Sequence, residues 1–223
     1  MPSSPLDLSS VPVFPLPGVV LLPTAVLPLH VFEDRYRAMT RAALDGDRLI
    51  AMALLGPGWQ LNYHAKPAIE PVVCVGVILS HEELPDGKYN LLLQGRVRAK
   101  VVRELETEEP FRRFHLAAIP LISAPEHTLL GARQKFAQIF ETGHLAGTQV
   151  GTTFAKLLNS SMTTAEIADL VAFNCIADVG VKQSLLAEGD VSKRVKTVAD
   201  LLWESRKPMI WPPNESYKNP GLN

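Results

Sequence analysis

The chain has 223 residues, 47% of them apolar and 20% charged, with a net charge of −1. That length suffices for one large domain, or one domain with a helical extension, whose core needs no disulfide or metal staple. The near-neutral balance provides no overall field for nucleic acid or an anionic membrane. Cys74 and Cys175 both sit in apolar runs without ligand spacing, which reads as two reduced, buried thiols.

No stretch is apolar for long enough to cross a membrane. Met1–Asp7 lacks the basic and apolar regions of a signal peptide. The cytoplasm is therefore the expected compartment.

The opening stretch, Phe14–Arg37, interrupts runs of Val, Leu and Phe with Pro15, Pro17, Pro23, Pro28 and Gly18. Interior prolines exclude a helix and argue against a central strand, where both edges of the backbone must bond. A short strand around Val11–Phe14, a buried irregular loop over Leu16–Pro23 and a strand over Val26–Phe32 remain. The apolar stripe Tyr36, Met39, Ala43 and Leu44 predicts a helix over Arg35–Asp45, stopped by Gly46.

Arg48–Leu55 reads as a buried strand ended by Gly56-Pro57-Gly58, and Trp59–Pro67 as a long loop. Val72–Leu79, dense in β-branched residues, is a further strand. Pro85-Asp86-Gly87 supplies hairpin chemistry, and the partner strand spans Tyr89–Val102. There Gln94, Arg96, Arg98 and Lys100 alternate with Gly95, Val97, Ala99 and Val101, which predicts one wet face. Phe111–Ile122 is the last strand, with Phe114, Leu116 and Ala118 sharing a face.

From Ser123 the apolar period changes from two to 3.6. Ser123–Glu126 and Thr163–Glu166 both have capping-box spacing. Leu129, Leu130, Phe136, Ile139 and Phe140 follow at helical intervals. Further helices are expected over Val150–Leu158, from Thr163, over Asp178–Ala187 and after Asp190, the last burying Val191, Val195, Val198, Leu201 and Leu202. Met209–Asn223 is a tail that could dock through Trp211.

Phe14-Pro15-Leu16, the Val19–Pro23 run and Leu27-Pro28-Leu29-His30-Val31-Phe32-Glu33-Asp34-Arg35-Tyr36-Arg37 resemble the opening of the Lon protease N-terminal (substrate-binding) domain, in its stand-alone bacterial form. Leu92–Arg98, after the hairpin, resembles that family's second block, and the final helices match more loosely. The resemblance implies an α+β fold: a PUA-like pseudo-β-barrel over residues 1–122, a C-terminal α-helical bundle over 123–208 and a tail over 209–223. It also implies a non-catalytic protein that binds polypeptides, unfolded ones among them, or a protein partner.

The residues suggest no chemistry of their own. Gly56-Pro57-Gly58-Trp59 has neither the lysine nor the following helix of a phosphate-binding loop. The ATPase and Ser-Lys peptidase modules of full-length Lon have no counterpart in the sequence. His30, His64, His81, His115, His127 and His144 lack ligand spacing, and no Gly-x-Ser-x-Gly elbow occurs. No catalytic residue, metal or cofactor is expected. His30 reads as a structural histidine bonded to a backbone carbonyl, and Glu104–Glu109 as solvated carboxylates. Glu33 and Asp34 read as helix N-terminal acids, with Arg35 bridging to a neighbouring carboxylate.

A polypeptide groove needs exposed apolar surface with a polar rim, for which Trp59, Leu61 and Tyr63 are the candidates, against simple packing beneath their loop. The alternative is an RNA-binding face on Arg96, Arg98 and Lys100. The adjacent acidic cluster cancels that charge and no aromatic pair interleaves it, so nucleic acid is the less favoured partner.

Overall fold

A computed structural model of the chain describes residues 6–63, 65–143 and 145–204; the expected tail from Met209, with Trp211, lies outside them. Packing divides the chain into two units, Met1–Ile119 and Pro120–Asn223.

The first unit is a mixed six-stranded sheet in the order β2-β5-β4-β3-β1-β6. Its strands are β1 (Val11–Leu16), β2 (Val26–Val31), β3 (Leu49–Leu54), β4 (Val72–Glu83), β5 (Tyr89–Leu105) and β6 (Arg112–Ala118), with helix α1 (Asp34–Asp45) between β2 and β3. β5 is long enough to use one edge twice. Residues Tyr89–Gln94 pair with β2, and Ala99–Leu105 pair with β6. The β5–β6 pairing closes β5, β4, β3, β1 and β6 into a ring, while β2 branches from the first half of β5. The fold is α+β, and it is not a clean barrel, because β2 stands outside the closed ring.

β1 corrects an expectation, because it lies inside the sheet although it carries Pro12 and Pro15. Its two ladders are staggered. β6 pairs with Val11–Val13, and β3 pairs with Val13–Leu16. Each proline thus stands in only one ladder, which removes the objection to a central proline. The core of this unit joins Val11, Val13, Ala51, Val73, Val75, Ala99, Phe114 and Leu116. Full burial of each such Val, Leu or Phe contributes about 1.5–3 kcal/mol. Phe114 and Leu116 share the buried face, but Ala118 is exposed where β6 ends.

The loop after β1 is irregular and buries Val20, Leu21 and Leu22. It crosses β5 at Gly95, where Thr24 N–H donates to the Gly95 carbonyl and Gly95 N–H donates to Ala25, both at 2.9 Å. A side chain at position 95 would collide with the Leu22 carbonyl oxygen, so the crossing requires glycine. The β4–β5 hairpin turns on Gly87 at φ +75°, with Leu84 and Lys88 joined by a 2.8 Å backbone bond.

The second unit contains α2 (Leu130–Ala137), α3 (Gln149–Leu158), α4 (Thr164–Cys175), α5 (Val179–Ala187) and α6 (Val191–Glu204). A π-helical turn, Gln138–Thr142, extends α2. Phe140 and Phe154 stack at 4.8 Å over a core that includes Phe136, Ile167, Val171, Val195, Val198 and Leu202. Leu130 and Leu201, expected on buried stripes, are exposed. Thr163 and Glu166 form a reciprocal capping box, and Asp178 and Asp190 cap α5 and α6.

The box expected at Ser123 does not form. Glu126 instead opens a short 3₁₀ turn and accepts from the Thr164 N–H and hydroxyl, which joins the starts of two helices. Inside the bundle, Arg194 Nε donates to Asp169 Oδ1 at 3.0 Å, and Nη1 donates to the Glu188 carbonyl at 3.0 Å. Both charges are buried and face each other, as buried charges must.

Candidate functional site

The long loop after β3 is closed at its base. Leu55 bridges Ile69, Gly56 N–H donates to Ala68 O, and Glu70 N–H donates to Leu54 O, the last two at 2.8 Å. Gly58, at φ +77°, turns the chain into a 3₁₀ turn over Trp59–Leu61. The Trp59 and Tyr63 rings meet edge to face at 5.6 Å. Tyr63 is buried, and its hydroxyl donates to Glu33 Oε1 at 2.9 Å. Leu61 stands between these anchors and is 94% exposed. Of the three groove candidates, then, Trp59 and Tyr63 fasten the loop and Leu61 faces solvent.

Glu33 precedes α1 and does not cap it. Its carboxylate binds Tyr63 on one side and Arg35 on the other, with Arg35 Nε at 3.1 Å. The Arg35 guanidinium lies between two aromatic faces, 4.5 Å from the Tyr36 centroid and 4.9 Å from that of Tyr63. Such cation–π contacts hold a guanidinium in place as well as stabilising it. Asp34 pairs with Arg37 at 2.9 Å, and Arg37 Nε also reaches the Gly87 carbonyl of the hairpin.

Beside this cluster lies a cavity of about 160 Å³. Arg35, Tyr36, Tyr63, Lys66, Glu104 and Arg112 supply its polar wall, and Val13, Leu55 and Phe111 its apolar wall. Arg112 forks onto Glu104, Nε to Oε1 at 3.0 Å and Nη2 to Oε2 at 2.8 Å, while Nη1 donates to Pro67 O at 2.7 Å. These hydrogen bonds from Arg112 hold the Glu104 carboxyl below the usual carboxylate range. Arg113 does the same for Glu109. Two members of the run read as solvated carboxylates are therefore engaged by arginines. Burial, and then the bond to Glu33, raises the Tyr63 phenol above its ordinary value.

The basic row expected on β5 is broken. Arg96 and Lys100 are exposed, but Arg98 is 4% exposed. A bulge lets Val75 and Gly76 pair with Val97 and Gly95, so Arg96 is the extra residue. Arg98 falls opposite Cys74, in a stretch of β4 buried on both faces.

His30 is also not where expected. It is exposed on β2, with Nδ1 2.8 Å from Asn90 Oδ1, and Asn90 Nδ2 donates to Glu82 Oε2 at 3.0 Å. Among the described residues, no group of His, Cys, Asp and Glu is arranged to hold a metal, and no helix is long and apolar enough to cross a membrane.

Residues 10–204 match the family described as the ATP-dependent protease La (LON) substrate-binding domain. The chain belongs to that family. It is 28% identical over 199 residues to a Lon protease of Trichlorobacter lovleyi, covering 86% of this chain and 23% of that protein. It is likewise 28% identical over 190 residues to the Lon protease of Escherichia coli, covering 83% and 24%. The chain thus spans about a quarter of the length of these curated relatives.

Two solved Lon N-terminal domains share the fold. That of the Mycobacterium avium complex Lon protease has a TM-score of 0.68 at 17% identity, covering 88% of this chain and all of its own. A Lon N-terminal domain protein from Xanthomonas campestris has a TM-score of 0.61 at 24% identity, covering 86% and 98%.

The polar cluster is not legible in the sequence, because Glu33–Tyr36 meet Tyr63, Lys66, Glu104 and Arg112 only through the fold. In the sequence Tyr36 belongs to an apolar stripe, and nothing in local spacing links Glu33 to Tyr63 or Arg112 to Pro67. The Glu33–Arg35 bridge, two residues apart, was legible.

Proposed function

We propose that this chain is a non-catalytic binding protein whose ligands are unfolded polypeptide segments, working in the cytoplasm, with residues 1–122 and 123–208 as the two halves of one substrate-binding domain. The observation that carries the reading is the match of residues 10–204 to a substrate-binding domain family. The loop geometry supports it. Leu61 presents an apolar side chain almost wholly to water, on a turn held rigid by Trp59 and Tyr63. An anchored apolar knob binds with little further loss of conformational entropy.

The test is fluorescence anisotropy of a labelled, permanently unfolded polypeptide, blocked at both ends, at low and high salt. Binding that survives high salt and weakens several-fold in Leu61→Asp is expected. No binding, or binding abolished by salt and unchanged in Leu61→Asp, overturns the reading.

A further inference from the structure

The cavity beside Tyr63 has hydrogen-bond donors to spare and its carboxylates are already engaged. Tyr36 lines it and is only 3% exposed, yet its hydroxyl bonds to no described residue. Arg35 Nη2 is 3.0 Å from Glu33 Oε2 but makes no well-directed hydrogen bond there, and it too is buried. On the acceptor side, Glu104 Oε1 takes Arg112 and, at 3.5 Å, Lys66, while Oε2 takes Arg112. Both Glu109 oxygens take Arg113. Lys66 and Arg112 share the single Glu104 carboxylate, which leaves the wall with one cation more than its anions balance. Arg35 Nη2 is buried without a hydrogen bond, a costly arrangement for a donor, and an anionic acceptor would engage it together with the Tyr36 hydroxyl.

We propose that this cavity binds a carboxylate. Tyr36 Oη and Arg35 Nη2 donate to it, and Lys66 supplies the counter-charge. The 160 Å³ volume limits the rest of the ligand, since a cavity of about 150 Å³ holds a benzene-sized molecule. Tyr63, Phe111 and Leu55 give that remainder an apolar wall. The carboxylate can belong to a free small acid or to the C-terminus of a polypeptide. The site stands whether or not Leu61 binds a chain.

Benzoate is the probe for the full chain, followed by calorimetry or by chemical shifts, with benzamide as the neutral match. Benzoate should bind better than benzamide, and Tyr36→Phe should weaken it about tenfold or more. Lys66→Gln, at a largely exposed side chain, should weaken it too, and keeps the test decisive if Tyr36→Phe disturbs packing on Phe14, whose ring centroid lies 4.4 Å from that of Tyr36. A short apolar peptide with a free C-terminus, compared with its C-terminal amide, separates the sources. Preference for the free acid assigns the site to chain termini, and equal behaviour of the two peptides beside tight benzoate assigns it to small acids. Either result sustains the proposal. Absence of benzoate binding, or equal affinity for benzamide and in both variants, overturns it, and neither result bears on the end-blocked polypeptide used above.

Discussion

Tyr63 donates its hydroxyl to Glu33, 30 positions earlier, and so ties the tip of a long surface loop to the residue that precedes α1. Without this bond the loop tip would lose its link to the Glu33 carboxylate and keep its ring packing and the Arg35 Nη1 bond to the Tyr63 carbonyl. Tyr63→Phe should therefore cost about 1–2 kcal/mol in urea unfolding, with faster amide exchange over Trp59–Tyr63. An unchanged unfolding curve would mean the bond is not formed in solution.

The same phenol makes an alkaline prediction. Its pKa is raised in the fold, first by burial and then by Glu33. The folded state therefore favours the neutral form. That contribution is complete below the ordinary phenol value near 10 and is lost as pH rises through the folded value. Ultraviolet titration of native protein should show Tyr63 ionising above the range of a free phenol, a delay that Glu33→Gln shortens.

Glu104 makes the opposite prediction at acid pH. Its pKa is lowered, chiefly by the hydrogen bonds from Arg112. The stability it contributes is present above the ordinary glutamate value and disappears as pH falls through the lower, folded one. Unfolding free energies measured from pH 6 downward should fall less steeply in Glu104→Gln than in the parent chain. Parallel curves would show that the Arg112 fork does not persist in water.

Both thiols should be silent in the native state. Cys74 is wholly buried, and burial pushes the Cys175 thiol up to about 12. A disulfide reagent at pH 8 should label neither until denaturant is added, because the thiolate is the reactive form. Prompt labelling of Cys175 would place it in a more open setting.

Gly95→Ala should be among the most damaging single substitutions. The new methyl group would meet the Leu22 carbonyl and come within 3.1 Å of Cys74 Sγ. Neither the crossing loop nor β4 can retreat without losing core contacts, and a cost above about 3 kcal/mol is expected. Soluble expression and the thermal midpoint report it.

Local chemistry was the part of the fold that could be read in advance. The β-branched run of β4, the Pro-Asp-Gly hairpin, the Thr163–Glu166 box and the caps at Asp178 and Asp190 all depend on neighbours within a few residues. Arg98 was misplaced because a bulge is set by the partner strand and not by the alternation of β5 itself. Glu126 was misplaced because a residue of another helix, Thr164, took its carboxylate. The Tyr36 hydroxyl, which bonds to no described residue, illustrates a further limit. Helical periodicity shows that a side chain is buried, but which of its atoms find partners depends on segments remote in sequence.

The stagger on β1 has a consequence for how the sheet assembles. Nearly all of β1 is buried on both faces, so burial alone would tolerate a strand shifted by one residue. Pro12 lacks the N–H needed to extend the β3 ladder backwards, and Pro15 lacks the one needed to extend the β6 ladder forwards. The two rings act as stops on zippering from either side. They exclude shifted pairings at a seam that joins residues a hundred positions apart, where a folding chain has the most wrong partners to sample.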